Sequence, residues 1–267
     1  MFVKLTKGYK SQLIEFIKKH HQPEKGIFID YDLLEGIFKK INRDDYENDE
    51  LICYLHLENN IIDAIAFLTG GTVFDCDFCL TFYSINYNAT EDILNMPILK
   101  NKKVYITARS PYIYQHLLTY LGNIPHNAEN MLYYQYARHT AVNENAGNYI
   151  IKEIDKSVSS EEVSYTHGIF VGDIGVSRCT ISLCSSETIP ELAYIPKLWG
   201  MFALHTHEEY RRQGYARILT LFSANKILEL GGIPFCFINS DNIASQCNAQ
   251  KCGFIPIYRG INFTIIL

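Results

Sequence analysis

Long hydrophobic runs are missing from this chain. No segment of its 267 residues approaches the ~18 consecutive apolar positions of a membrane-spanning helix, so no membrane partner is expected. A basic surplus is missing too. Only 24 Lys and Arg stand against 29 Asp and Glu, a formal charge of −5. A nucleic-acid surface needs clustered cations, so that class of partner is set aside. The opening Met1-Phe2-Val3-Lys4 leads into polar residues without the apolar stretch of a secretion signal. No cysteine framework stands out either. Eight Cys, at 53, 76, 79, 179, 184, 236, 247 and 252, are scattered through apolar runs, which reads as reduced, buried thiols in a cytoplasmic protein. Cys76-x-x-Cys79 is the one close pair. It lacks the second pair of a zinc site, and it lies in a strand-like run instead of at a helix start, where a redox pair would sit. No metal is expected.

What the chain does have is apolar content enough for a core, 48% hydrophobic against 20% charged, and a length that suits one large or two small domains. Taken in order, Phe2 to Leu5 reads as a short strand. Ser11 can cap a helix with Leu13, Ile14, Phe16 and Ile17 on one face. Pro23 ends it after His20 and His21, which read as a solvated helix end. Asp30 or Asp32 opens a second helix, and Asn42 to Glu50 follows as an acidic loop. Leu51 to Leu57 and Ile61 to Leu68 form a hairpin over Glu58-Asn59-Asn60, since Asn tolerates the positive φ of a tight turn. Thr72 to Ile85 is strand-like, Thr90 opens a helix that Pro97 interrupts, and Val104 to Thr107 is a strand. Ser110-Pro111 opens a helix to Leu121, and Met131 to Ala137 is a strand. The order is β-α-α-β-β-β-α-β-α-β.

Asn143 to Asn148, rich in turn formers, reads as a linker between residues 1–143 and 144–267. The halves are faintly self-similar. Tyr105-Ile106-Thr107 with Ser110 and Leu121-Gly122 parallels Phe237-Ile238-Asn239 with Asn242 and Cys252-Gly253, which suggests a tandem repeat. In the second half, only a short polar stretch separates the strand begun by Tyr149 from Gly168 to Val171. That leaves little room for helices. A hairpin over Gly172 to Gly175 follows, then a loop from Ser185 to Lys197 that holds Glu187 and Glu191.

The organising stretch is Leu198 to Arg217. An apolar strand closes at Thr206 to Glu209. A loop carries Arg211-x-x-Gly214-x-Ala216. A helix opens near Gly214 with Tyr215, Ile218, Leu219 and Phe222 on one stripe. Small residues let backbone approach a ligand closely, and a helix start presents unpaired N–H groups at its positive dipole end. Together they suit a pyrophosphate.

This stretch resembles the acyl-CoA-binding motif of the Gcn5-related N-acetyltransferase (GNAT) superfamily, Arg/Gln-x-x-Gly-x-Gly/Ala after the fourth strand. Asp241-Asn242-Ile243-Ala244-Ser245 and Lys251-Cys252-Gly253-Phe254 resemble the same family beyond its fifth strand, so the resemblance runs from about Gly168 to Phe254. Glu209-Tyr210-Arg211 with Gly214-Tyr215-Ala216 is most similar to the glycine N-acyltransferase-like branch. The resemblance implies an α/β fold with a mixed sheet and tandem acetyltransferase-like domains. The first domain is degenerate, because Asn86 to Asp92 stands where the phosphate loop should be and two carboxylates there would repel a pyrophosphate. An unrelated α/β domain is the alternative for that half.

The implied co-substrate is acetyl-CoA or another acyl-CoA. Backbone amides from Leu204 to Thr206 would hold the pantetheine and polarise the thioester carbonyl. Arg211, Arg212, Gln213, Gly214, Tyr215 and Ala216 would hold the phosphates, with the motif supporting Arg211 while Arg212 reads better as plain surface. Asn242 and Ser245 would contact the CoA arm, although Asn242 also reads as a helix cap. The resemblance offers no catalytic residue. The family's general base falls on Gly200 or Phe202 and its general acid on Ala249, and none of these can move a proton. His205 and His207 are set i, i+2 on one strand face, and His205 reads as packing under a helix. The expected function is N-acyl transfer from acyl-CoA to the primary amine of a small molecule or amino acid. A non-catalytic acyl-CoA sensor and a protein N-acetyltransferase are the alternatives.

Overall fold

The computed structural model describes residues 1–21, 31–43, 51–108, 111–123, 128–136, 142, 148–158, 163–183, 190–194 and 198–267. Of the expected linker, Asn143 to Asn148, all but Asn148 lies outside them. The described chain divides into two compact units. Unit 1 comprises Met1–Leu132 with Ile257–Leu267, and unit 2 is Tyr133–Pro256. Residues 257–267 thus close unit 1, although they lie far beyond the expected boundary at 143/144.

The elements follow the expected order: in unit 1, β1 (Phe2–Lys4), α1 (Lys10–His20), α2 (Tyr31–Arg43), β2 (Leu51–Glu58), β3 (Ile61–Gly70), β4 (Phe78–Ser84), α3 (Tyr87–Leu94), β5 (Lys103–Ala108) and α4 (Pro111–Leu121), then β6 (Glu129–Gln135), which begins in unit 1 and passes into unit 2 at Tyr133. Their sheet runs β1-β2-β3-β4-β5, antiparallel except for the parallel β4/β5 pair. The β2–β3 turn has Asn59 at φ 52° and Asn60 at φ 63°, the left-handed conformations that Asn accepts at least cost. Two helix starts differ from expectation. Ser11 lies inside α1, because a 3-10 turn at Lys7–Tyr9 feeds straight into it. α3 begins at Tyr87 because the Asn86 side chain accepts the Ala89 N–H at 2.7 Å and caps the helix before Thr90 can.

Unit 2 continues with β7 (Ile150–Val158), β8 (Val163–Val171), β9 (Ile174–Leu183), β10 (Leu198–Thr206), α5 (Tyr215–Glu229), β11 (Ile233–Asn239) and α6 (Ile243–Lys251), and the chain ends in β12 (Ile255–Ile266). The polar residues after Tyr149 extend β7 to Val158, and β8 begins at Val163. The sheet runs β7-β8-β9-β10-β11, again antiparallel with a final parallel pair. The expected stripe of α5 is realised. Tyr215 and Leu219 are buried against Ile169, Val176 and Cys179, with Ile218 and Phe222 at the margin. β12 pairs antiparallel with β5, Ile261 opposite Ala108 and Phe263 opposite Ile106, and buries both side chains in the core of unit 1. Among the described residues no helix is long and apolar enough to cross a membrane.

One buried group makes the fold sensitive to acid. His167 on β8 lies edge-on to Phe222 at 4.9 Å, and its pKa is held below the usual value. Desolvation is the main cause, Glu153 opposes it, and Lys226 adds to it. A depressed folded-state pKa means that the fold favours neutral imidazole. The stability is therefore present above the unfolded value of about 6.5 and is lost as pH falls below it. The thermal midpoint should drop between about pH 7.5 and about pH 5.5, and His167→Leu should flatten part of that drop. An identical drop in both proteins would remove His167 as its source.

Candidate functional site

The site lies within unit 2, where two parallel strands part. β10 and β11 pair only at Leu198↔Ile233, Trp199↔Pro234 and Gly200↔Phe235. Beyond Gly200 the strands are no longer bonded, although each runs on, to Thr206 and Asn239. On its other side β10 keeps pairing with β9, but the register slips between Phe202 and His205. Two residues, Ala203 and Leu204, stand opposite Cys179 alone, and Ala203 adopts φ 50°. Such a bulge takes backbone groups out of the ladder and turns the strand. A strained non-glycine conformation beside a cleft is a mark of functional sites.

A cavity of about 300 Å³ occupies the opening. Its walls are Met201, Ala203 and Leu204 of β10, Cys179 of β9, Thr220 of α5, Cys236 to Asn239 of β11, and Asn242, Ser245, Asn248 and Ala249 at and within α6. Leu204, Asn242 and Ser245 are therefore brought together as expected. Asn242 caps α6, its Oδ1 accepting the Ser245 N–H at 3.1 Å, and the residue also lines the cavity. Thr206 is turned elsewhere. Its hydroxyl is 2.9 Å from that of Ser177, and its carbonyl accepts the Arg211 Nε–H at 3.2 Å.

The loop leads into α5 with no side-chain cap. Gly214 is the N-cap at φ 89°, and a Cβ built there would meet nothing within 4 Å. The Ile218 N–H closes the first helical bond to the Gly214 carbonyl at 3.1 Å, so the preceding amides of Tyr215, Ala216 and Arg217 form the open end of the helix. The Tyr215 side chain is in the core, 6.0 Å from the Tyr149 ring, which leaves only its backbone for a ligand. Arg211 lies 3.9 Å from Glu208 as well as bonding Thr206, and so also fixes the loop. Arg212 is exposed at φ 64°, and Gln213 is tied to the Glu209 carbonyl at 3.3 Å.

His205 does not pack under a helix, contrary to expectation. It is exposed, pairs with Arg178 on β9, and lies edge-on to His207 at 5.4 Å. The bulge explains the difference. Plain alternation sets positions 202 and 205 on opposite faces, but they pair with Thr180 and Arg178, two residues apart on β9. Glu191 lies in a 3-10 turn, Pro190–Leu192, and is not among the cavity walls.

Composition alone could not single out Cys179, Thr220, Cys236, Asn239 or Asn248 as wall residues, because each reads as ordinary core or turn. Burial pushes the Cys179 thiol up to about 11 and the Cys236 thiol up to about 12. Both are therefore protonated at neutral pH and are poor nucleophiles. Among the described residues no carboxylate, imidazole, amine or phenol lines the cavity. Among the described residues no three His, Cys, Asp or Glu come together as a metal site.

In unit 1 the corresponding helix start is closed. Asn86 caps α3 and also donates to Asp63 at 2.8 Å, while His56 bridges Asp63 at 2.6 Å and Asp92 at 2.9 Å. Leu80, Phe82, Ile93, Ile113 and Leu117 fill the space beside it.

Residues 195–260 match the family of FR47-like proteins. No curated protein matches the chain. Among solved structures, it is similar over 99% of its length to a Drosophila protein, of which it covers 98%, at 11% identity and a TM-score of 0.59. A tandem GNAT protein from the clavulanic acid biosynthesis pathway, solved without acetyl-CoA, is similar at 10% identity and 0.58, with 99% of this chain and 98% of that one covered. A GCN5-related N-acetyltransferase from Sphaerobacter thermophilus is similar at 9% identity and 0.57, covering 99% and 95%. With two α/β units of like strand order, each closing on a parallel pair, the chain has the fold of the tandem Gcn5-related N-acetyltransferases.

Proposed function

We propose that unit 2 transfers an acyl group from acyl-CoA to the primary amine of a small molecule or amino acid, and that unit 1 is a degenerate copy without a CoA site. The observation that carries this reading is the cavity between β10 and β11 together with the uncapped start of α5. The open amides and the helix dipole suit the pyrophosphate. Asn239 and Asn242 line the cavity, and the Oδ1 of each already accepts a backbone N–H, which leaves their Nδ2 groups as the donors for the amides of a pantetheine arm. The bulge at Ala203 and Leu204 offers backbone donors to the developing oxyanion. Acyl transfer in such a site needs little beyond holding amine and thioester together. Protonated Cys179 and Cys236 argue for direct attack over an acyl-cysteine intermediate.

With no base among the described wall residues, the amine must lose its own proton to water before it attacks. The rate of CoA release with an α-amine should therefore climb with pH toward the amine's pKa of about 8 and then level off. A panel of amines with acetyl-CoA, followed by the released thiol, tests both points. A rate set by a group near pH 6 would instead point to a protein base. The lack of a proton-moving side chain among the described wall residues also favours a second reading, a non-catalytic acyl-CoA sensor. It predicts CoA binding with no thiol release for any amine.

A further inference from the structure

We propose that the acyl group bound by this chain is longer than acetyl, about four to six carbons, with its tail at the inner end of the unit 2 cavity and Ala249 setting the length. This rests on the acyl-CoA reading above.

The cavity has two unlike ends. Leu204 and Phe237 are 36% and 42% exposed, and Ala203, Asn239 and Asn242 are exposed beside them, so these residues form the mouth. Cys179, Thr220 and Ala249 are 0%, 4% and 3% exposed and form the floor. The mouth is where the amides of Asn239 and Asn242 suit a polar arm. The floor is uncharged, and its polar groups are already engaged. The Thr220 hydroxyl donates to the Ala216 carbonyl at 2.8 Å and accepts from Asn248 Nδ2 at 2.9 Å. The Cys179 thiol reaches the Thr180 carbonyl at 3.8 Å. Such a floor gives a polar ligand nothing to bond and suits a hydrocarbon. The raised thiol pKa values of Cys179 and Cys236 agree with a dry interior.

Volume supports the length. At roughly 30 Å³ for each group the size of a water or a methylene, the cavity holds about ten such groups. The thioester end of acetyl-CoA, with the two methylenes beside its sulfur, uses about six of them, which leaves room for about four carbons more. Ala249 faces this space from α6, and any larger side chain there would shorten it.

The test is calorimetry on the full chain with CoA, acetyl-CoA, butanoyl-CoA and hexanoyl-CoA. Affinity should rise about threefold per added methylene, most steeply from acetyl to butanoyl. Ala249→Leu should cut the ratio of hexanoyl to acetyl affinity about tenfold. Acetyl-CoA binding as tightly as hexanoyl-CoA to the unaltered chain overturns the proposal, whether or not the variant folds. A folded Ala249→Leu protein with an unchanged ratio overturns the placement of the tail. If CoA itself fails to bind, the acyl-CoA reading falls instead, and the chain-length proposal goes with it.

Discussion

Gly214→Glu should abolish CoA binding and leave the chain folded. Gly214 is the N-cap of α5 at φ 89° and ψ −6°, and nothing stands within 4 Å of where its Cβ would be. A glutamate there projects into the space a pyrophosphate needs, bringing bulk and like charge. The fold has two reasons to tolerate it. The side chain meets no protein atom, and a carboxylate at a helix start is favoured by the dipole. What remains is the cost of a left-handed non-glycine residue, about 1–2 kcal/mol. Gly214→Ala carries the same backbone strain without the charge, so the pair separates strain from repulsion. We expect the Kd for CoA to rise by a factor on the order of 100 or more in the glutamate variant and by only a few-fold in the alanine variant. Calorimetry should give about one CoA per wild-type chain, because the α3 start in unit 1 is occupied by its own Asn86. A folded glutamate variant with unchanged affinity would refute the phosphate site, and two CoA per chain would refute the degeneracy of unit 1.

The uncapped start of α5 was legible in the sequence because its physics is local. A glycine before an amphipathic stripe is enough to mark an uncapped helix start, and α5 forms from that stripe. That little room is left for helices between Tyr149 and Gly168 was legible from chain length, and β7 and β8 take up most of that stretch. The bulge was not. Ala203 has no residue-type preference for φ 50°, and the slip is imposed by pairing with β9, far off in sequence. That single slip misassigned His205, since a period of two carries its error to every later residue on the strand. The cavity floor was hidden for a related reason. Cys179, Thr220 and Ala249 come from three elements, and each matches the apolar or small pattern of ordinary core. The grouping of β12 with unit 1 was equally hidden. Ile261 and Phe263 alternate as any half-buried strand does, and nothing in that alternation names the partner.

That grouping sets the outcome for a fragment of residues 144–267, which should neither fold cooperatively nor turn over amines. As a compact body unit 2 begins at Tyr133. Tyr133, Tyr134 and Tyr136 are 5%, 2% and 1% exposed. The Tyr136 N–H bonds the Pro234 carbonyl at 3.1 Å, and its ring stacks on Phe254 at 5.0 Å, beside the turn at Gly253 that ends α6. A fragment starting at residue 144 loses all three tyrosines. Truncating one buried aromatic costs about 3–5 kcal/mol, and a whole domain is stable by only about 5–15 kcal/mol. The same fragment keeps β12, whose Ile261 and Phe263 are buried in unit 1 and would have no core to enter. An apolar strand left unpaired invites association through its edge. Residues 129–256 reverse both faults, restoring the tyrosines and dropping β12. This second fragment should melt cooperatively and bind CoA, while 144–267 should show no transition and sediment as aggregate. A cooperative melt with full amine turnover from 144–267 would show that unit 2 needs neither its tyrosine strand nor the rest of the chain.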